Sequence, residues 1–179
     1  MTVLSATEHR DPPARPDFTE VFREHAPYLW RALLGLGVRS ADVDDACQEV
    51  LLVVHRRLAE FDGRSLRTWL YAICLRVASD YRRSARVRRE VSVESVPDSP
   101  VAYGVLETVD SKELWTELLR ALETLDAEKR AAFVLYEVEE LSLREIAEAT
   151  GAPLQTIYSR LQSARAHVGQ HFKTRRREP

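Results

Sequence analysis

Cysteine, glycine and methionine are scarce in this 179-residue chain, at two, six and one residues. Cys47 and Cys74 stand singly in apolar stretches without Cys-x-x-Cys spacing, so a disulfide framework or zinc site is unsupported and both read as small core residues. The few glycines build no phosphate loop, and neither a nucleophile elbow nor a His-Glu-x-x-His helix occurs. His167 and His171 are four apart, yet no acidic or cysteine neighbour completes a metal set. No apolar run approaches the roughly 20 residues that cross a bilayer. The opening MTVLSATEHRDPPARP lacks the apolar core of a secretory signal. The expectation is a cytoplasmic, non-enzymatic protein without cofactor, metal, small-molecule substrate or membrane insertion. Residues 1–16 read as a disordered leader.

What the chain has is segregated charge. Its hydrophobic content, 45%, is ordinary for a globular protein, and its net charge of −2 hides a strong alternation. Residues 1–63 carry 7 basic and 11 acidic groups, 64–89 carry 8 and 1, 90–150 carry 5 and 15, and 151–179 carry 6 and 1. Two basic blocks thus flank an acidic one, which points to two polyanion-binding surfaces with a different role for the segment between them.

The first basic block is LRTWLYAICLRVASDYRRSARVRR, residues 66–89. Leu66, Trp69, Leu70, Ile73, Val77 and Tyr81 recur at steps of three or four, the period of one buried helical face. Seven arginines fall largely outside that stripe, with Asp80 the only acid among them. A plain solvated surface intersperses both signs, so the stripe favours a helix between a protein core and nucleic acid.

Upstream, Asp17 and Glu20 form a capping pattern before Phe18, Val21, Phe22, Leu29, Leu33 and Leu36, with Pro27 expected to kink or divide the helix. Ser40 can cap a second helix whose buried stripe is Val43, Cys47, Val50, Val54, Leu58 and Phe61. Its other side shows Asp44, Asp45, Gln48, Glu49 and His55. Helix-dipole complementation accounts for Asp42 and Asp44, but less well for Gln48 and Glu49 a turn further in. Downstream of Arg89 the periodicity collapses. Residues 91–112 read as an acidic linker, either a solvated spacer or a mimic of nucleic acid.

Helical order returns from residue 113 with Leu114, Leu118, Leu122 and Leu125, then with Asp126 as a cap. In LSLREIAEATGAPLQTIYSRLQSARAHV, Ser142 and Glu145 make a capping box, and Leu141 and Ile146 its hydrophobic staple. Gly151 suits a left-handed residue past the helix, and Pro153 the first position of the next. Two short helices around a glycine-bearing turn read as a helix-turn-helix, although purely structural bundles use the same shape. The basic tail, residues 173–179, supports the nucleic-acid reading. On the second helix Gln155, Thr156, Tyr158, Ser159, Gln162 and Ser163 lie away from the apolar stripe of Ile157, Leu161, Ala164 and Val168. Amides and hydroxyls there can reach base edges, while Arg160 and Arg165 suit phosphates or intrahelical pairs. The fold class is all-α, with two small helical domains, 17–90 and 113–172, joined by the flexible linker.

Together these segments resemble a bacterial alternative sigma factor of the extracytoplasmic-function group, from about Asp17 to Phe172. DVDDACQEVLLVVHRRLAEFDG is similar to the family's helix that docks on core RNA polymerase. RTWLYAICLRVASDYRRSARVRR resembles the segment that melts and reads the −10 promoter element, and LSLREIAEATGAPLQTIYSRLQSAR the helix-turn-helix that reads the −35 element. The resemblance implies polymerase binding through Asp45, Gln48 and Glu49. It implies −10 strand capture by the Asp62–Ser65 turn, with Arg64 and Ser65, and by Arg67, Arg76, Asp80, Arg82 and Arg83. It assigns −35 contacts to Gln155, Thr156, Tyr158, Ser159, Arg160, Gln162, Ser163 and Arg165, and leaves Trp69 to the core. The implied partners are core RNA polymerase, promoter DNA and an anti-sigma factor, with nucleoid association when bound to polymerase. Many members have asparagine at Arg76, Gly-Thr at Gln155-Thr156, and basic residues at Tyr158 and Ser163, so the promoter sequence cannot be borrowed. Arg76 itself is open to three roles: a phosphate grip, a base contact or a pair with Asp80 four residues on. The competing classes are a stand-alone helix-turn-helix regulator, which leaves the arginine helix unexplained, and a metal-dependent or nucleotide-processing enzyme.

Overall fold

A computed structural model describes residues 16–89 and 109–175, and every regular element in that span is helical. The order is α1 (Phe18–Gly35), α2 (Val43–Arg57) with a 3₁₀ turn (Leu58–Glu60), α3 (Leu66–Arg89), α4 (Val109–Glu123), α5 (Ala127–Phe133) with a π-helical turn (Val134–Val138), α6 (Leu143–Thr150) and α7 (Leu154–Arg175). The expected leader falls outside the described residues apart from Pro16, and so does the linker as far as Val109, where α4 already begins. The basic tail starts as the last turn of α7 and then leaves the described span.

Asp17 caps α1 by accepting the Thr19 amide at 3.0 Å. The expected division at Pro27 does not occur, because α1 runs unbroken through it. Proline removes one helical hydrogen bond and crowds the preceding turn. Val21 before it and Leu29 and Leu33 after it are buried in one core, and that burial holds both halves in one element. Phe22, expected in the stripe, is 48% exposed. It follows Val21 directly, and neighbours on a helix point about 100° apart, so only one of the two can face the core. Leu114 is exposed beside Trp115 for the same reason, while Trp115 packs on the core. On α2 the cap position belongs to Asp42 rather than Ser40, and the Asp42 carboxylate accepts from Arg39 Nε at 2.7 Å. Val43, Cys47, Val50 and Val54 are buried as their spacing predicts. Burial pushes the Cys47 thiol up to about 11, and the Cys74 thiol well above its ordinary range, so neither ionises near neutral pH.

α3 departs most from its one-sided pattern. Leu70, Ile73 and Val77 are buried, but so are Thr68, Tyr71, Cys74 and Ala78. A second face is covered because the C-terminal helices pack on it, α6 above all. In that C-terminal domain Asp126 accepts the Lys129 amide at 2.9 Å, and the Ser142–Glu145 capping box closes in both directions. Leu141 and Ile146, its staple, are both buried. Gly151 ends α6 at φ +71°, a conformation that costs a side-chain-bearing residue about 1–2 kcal/mol. The Pro153 carbonyl accepts the Thr156 and Ile157 amides, which puts Pro153 just before α7 rather than first within it. Ile157, Leu161, Ala164 and Val168 then clamp α7 onto its neighbours.

The two domains press together. Ala32 of α1 and Tyr71 of α3 share one apolar cluster with Leu135, Leu141, Ile146 and Ile157. Gly35 lets α1 approach the π-helical turn so closely that an added Cβ would lie 3.0 Å from Val134 Cγ1.

Candidate nucleic-acid interface

Three surfaces carry the residues singled out in the sequence. On α2, Asp45, Gln48 and Glu49 are all exposed on one side. Asp44, next to them, is occupied within the fold, where its carboxylate accepts from Trp30 Nε1 at 2.8 Å. Tyr81 of α3 lies against this acidic face, and burial followed by the charges of Glu49, Asp45 and Asp42 holds its hydroxyl pKa above the ordinary value.

The turn into α3 is self-paired. Arg64 Nε donates to Asp62 at 2.7 Å, and the Asp62 carboxyl is held below its usual range by the bonds it accepts from Arg64. The Ser65 hydroxyl caps α3, lying 3.3 Å from the Thr68 amide and 2.8 Å from the Thr68 hydroxyl. Along the helix Arg76, Asp80 and Arg83 are exposed and line a cleft of about 430 Å³, whose far wall includes Glu128, Thr150 and Arg160 of the C-terminal domain. Among the described residues Arg76 is exposed and forms no ion pair. Two other arginines bond backbone carbonyls of the fold. Arg82 is half-buried and donates Nη1 to the Leu36 carbonyl at 2.8 Å, and Arg67 donates to the Glu139 carbonyl.

On α7, Gln155, Tyr158, Ser159, Gln162 and Ser163 are exposed and Thr156 half-exposed, as a recognition face requires. The Ser159 hydroxyl donates to the Thr156 carbonyl at 2.9 Å, so part of its capacity is used within the helix. Arg160 and Arg165 pair across elements rather than within α7, the first with Glu128 of α5 and the second with Glu137 of the π-helical turn. Arg165 also lies over the Tyr136 ring at 5.0 Å. These bonds fix the pitch of α7 on its domain.

Sequence reasoning missed the polar knot between the domains. Glu139 is 0% exposed, and its carboxylate accepts Arg31 Nε at 2.9 Å, Arg31 Nη2 at 3.1 Å and the Tyr71 hydroxyl. Burial comes first, then Glu139, in holding the Tyr71 hydroxyl pKa well above its usual range. Arg31 is a lone charge inside the apolar run LWRALLGLG, and that mismatch was the available signal. Among the described residues no group of three or more His, Cys, Asp or Glu is placed to hold a metal, and no helix is long and apolar enough to cross a membrane. His167 instead bonds Thr124 at 2.6 Å, and His171 bonds Glu117 at 2.6 Å.

Comparison with known proteins follows the same division. The family models for Sigma-70 region 2 and Sigma-70 region 4 match residues 21–88 and 115–168. The ECF RNA polymerase sigma factor SigM of Mycobacterium tuberculosis is 30% identical over 152 residues, covering 84% of this chain and 74% of SigM. The ECF sigma-E factor of Escherichia coli K12 is 33% identical over 148 residues, covering 76% of this chain and 77% of that protein. The chain belongs to the ECF sigma factors. ECF SigE of Mycolicibacterium smegmatis is 32% identical over 161 residues and 88% of this chain, but this sigma factor spans only 62% of SigE's length. Among solved structures, the sigma factor RpoE from Bartonella quintana, in complex with the anti-sigma factor NepR, superposes with a TM-score of 0.70 at 26% identity over 88% of this chain and 97% of that one. CnrH, in complex with the cytosolic domain of CnrY, gives 0.66 at 23% identity over 88% of each chain, a likeness of fold.

Proposed function

We propose that this protein is a non-enzymatic alternative sigma factor that binds core RNA polymerase and directs transcription from its own promoters, in the cytoplasm and on the nucleoid. The observation that carries the reading is the pairing of two sigma modules with an acid and amide face on α2 that stays exposed although Tyr81 lies against it. Asp45, Gln48 and Glu49 dock on polymerase. Arg64, Arg76, Asp80 and Arg83 take the −10 strand, because separating a duplex requires neutralised phosphates and a place for the extruded base. Gln155, Thr156, Tyr158, Ser159, Gln162 and Ser163 read base edges of the −35 element, and Arg160 and Arg165 fix α7 against its domain and the DNA backbone. Glu128, Thr150 and Arg160 of the C-terminal domain face Arg76 and Arg83 across the cleft, so engagement of a promoter strand on α3 moves the domains apart. Arg67, which bonds the Glu139 carbonyl across the seam, becomes available to DNA when the domains part, whereas the Arg82 bond to Leu36 lies within the first domain. An anti-sigma factor that stabilises the closed form is the natural antagonist. A stand-alone regulator would leave the α2 face without a purpose.

The decisive experiment is transcription by the purified protein with core polymerase on genomic fragments, followed by mapping of start sites. A defined set of starts that depends on this protein is expected, and failure to bind core polymerase in gel filtration would overturn the reading. Arg83→Ala and Arg76→Ala should impair open-complex formation more than −35 binding. Arg82 is a poorer probe, because its loss also frees the Leu36 carbonyl.

A further inference from the structure

A cavity of about 640 Å³ lies at the seam of the two domains, walled by the α1–α2 connection, α3, α4 and α5. Three guanidinium groups line it, from Arg39, Arg82 and Arg130, beside Ser40 and an apolar wall that includes Leu34 and Leu119. None of the roles assigned above uses Arg130. Its side chain is only 8% exposed, its Nε has no hydrogen-bond partner, and Nη2 reaches the Leu125 carbonyl at only 3.5 Å. Nη1 lies against Gly37, where an added Cβ would overlap it, so the glycine leaves the space that the guanidinium fills. Burial and then the charge of Arg82 lower the pKa of Arg130, and burial lowers that of Arg82. Glu123 is the acid that attracts Arg130, but among the described residues it forms no ion pair with it. Arg39 at the rim is paired with Asp42. Two desolvated cations without a matching anion are unfavourable, and proteins commonly pair or ligate such groups.

We propose that Arg130, Arg82 and Arg39 form a binding site for a phosphorylated small molecule. The phosphate would accept from Arg130 Nε and from the remaining guanidinium donors in charge-assisted, fork-like bonds, which is the geometry guanidinium groups favour for phosphate. The volume far exceeds one phosphate and falls in the range of ordinary ligand pockets, so the apolar wall is left for the body of the ligand. A nucleoside phosphate has that chemistry. DNA is disfavoured as the source, because α4 and α5 of the second domain form part of the walls. Occupancy would bridge the α1–α2 connection, α3 and α5, and so hold the domains closed. That regulatory consequence rests on the sigma-factor reading, whereas binding itself does not.

The test uses full-length protein without polymerase. Thermal unfolding is followed with inorganic phosphate, ADP or a short single-stranded DNA oligonucleotide, each against chloride at matched ionic strength. Phosphate and ADP at about 100 times their Kd should raise Tm by about 5–10 °C. Arg130→Met should fold with an unchanged or higher ligand-free Tm, because it removes an uncompensated buried charge, and should lose the ligand shift. Arg39→Gln, on the rim, should weaken apparent affinity about tenfold, and it decides the matter if Arg130→Met fails to fold. Three results would overturn the proposal: no shift beyond that of chloride, an equal shift in both variants through general salting-out, or a response to the oligonucleotide alone. Failure to bind core polymerase in gel filtration, with the ligand shift intact, would sink the sigma reading and leave the site standing.

Discussion

Arg31→Ala is the perturbation that asks most directly what joins the two domains. Arg31 is on α1, part-exposed, and makes two hydrogen bonds of 2.9 and 3.1 Å to a carboxylate that has no access to water. Removing it leaves Glu139 buried with the Tyr71 hydroxyl as its remaining side-chain donor. Breaking one side of a buried ion pair costs about 3–5 kcal/mol, since the surviving charge is left uncompensated. The partners belong to different domains, so the cost falls on the closed arrangement rather than on either bundle. A loss of about 3 kcal/mol lowers the closed-to-open ratio by roughly two powers of ten. Replacing both groups at once, Arg31→Met with Glu139→Leu, removes the charge pair and should restore most of the loss, leaving the unsatisfied Tyr71 hydroxyl at about 1–3 kcal/mol. Fluorescence energy transfer between a dye on α2 and one on α7, together with X-ray scattering, reports the separation, and urea titration reports the energy. The single variant should lengthen the distance and lower the stability, and the double variant should recover much of both. An unchanged distance and midpoint in Arg31→Ala would refute this account of the seam. A lowered midpoint at constant distance would relocate the role of Glu139 to the folding of one domain.

Four further outcomes are expected. Ser142→Ala should cost about 1 kcal/mol of C-terminal domain stability in urea titration. The bonds from Ser142 hold the Glu145 carboxyl below its usual value, so that contribution is present above the unfolded carboxylate pKa and lost as pH falls through the folded one, and the variant should show a shallower loss on acidification. His25 is held below its ordinary pKa chiefly by burial, with Arg67 adding to the effect, so the unfolded chain takes its proton first and stability falls as pH drops below about 6.5. His25→Gln should flatten stability measured between neutral pH and pH 5. Gln48→Ala with Glu49→Ala should weaken capture by core polymerase while shifting stability by no more than about 0.5 kcal/mol per site, since both side chains are exposed.

The helices and their caps were legible because their causes are local. The Ser142–Glu145 box, the Asp126 and Asp17 caps and the Gly151 stop each act over a few residues, and the structure realises all four. The stripe Val43, Cys47, Val50, Val54 and the α7 stripe from Ile157 to Val168 needed only the helical period. Of the candidate sites, the α2 face and the polar face of α7 emerge as surfaces of exposed residues, whereas the α3 face was only half readable. A periodic pattern reports that a residue can be buried, but not that a second domain will cover the other side. Tyr71 therefore passed as an ordinary helix residue, whereas Cys74 was legible as a small core residue.

The amino-acid sequence by itself determined the helical elements, the two-domain division and the sigma-factor kinship, all of which follow from short-range spacing and motif order. Only the tertiary structure decided that Glu139, from an acidic stretch, would meet Arg31 and Tyr71 from more than sixty residues away, and that Arg130 would be buried beside Arg82. Buried charge depends on which surfaces meet. The meeting of the two helical bundles is set by the shape of the seam, the close approach at Gly35 included, rather than by any local pattern along the chain.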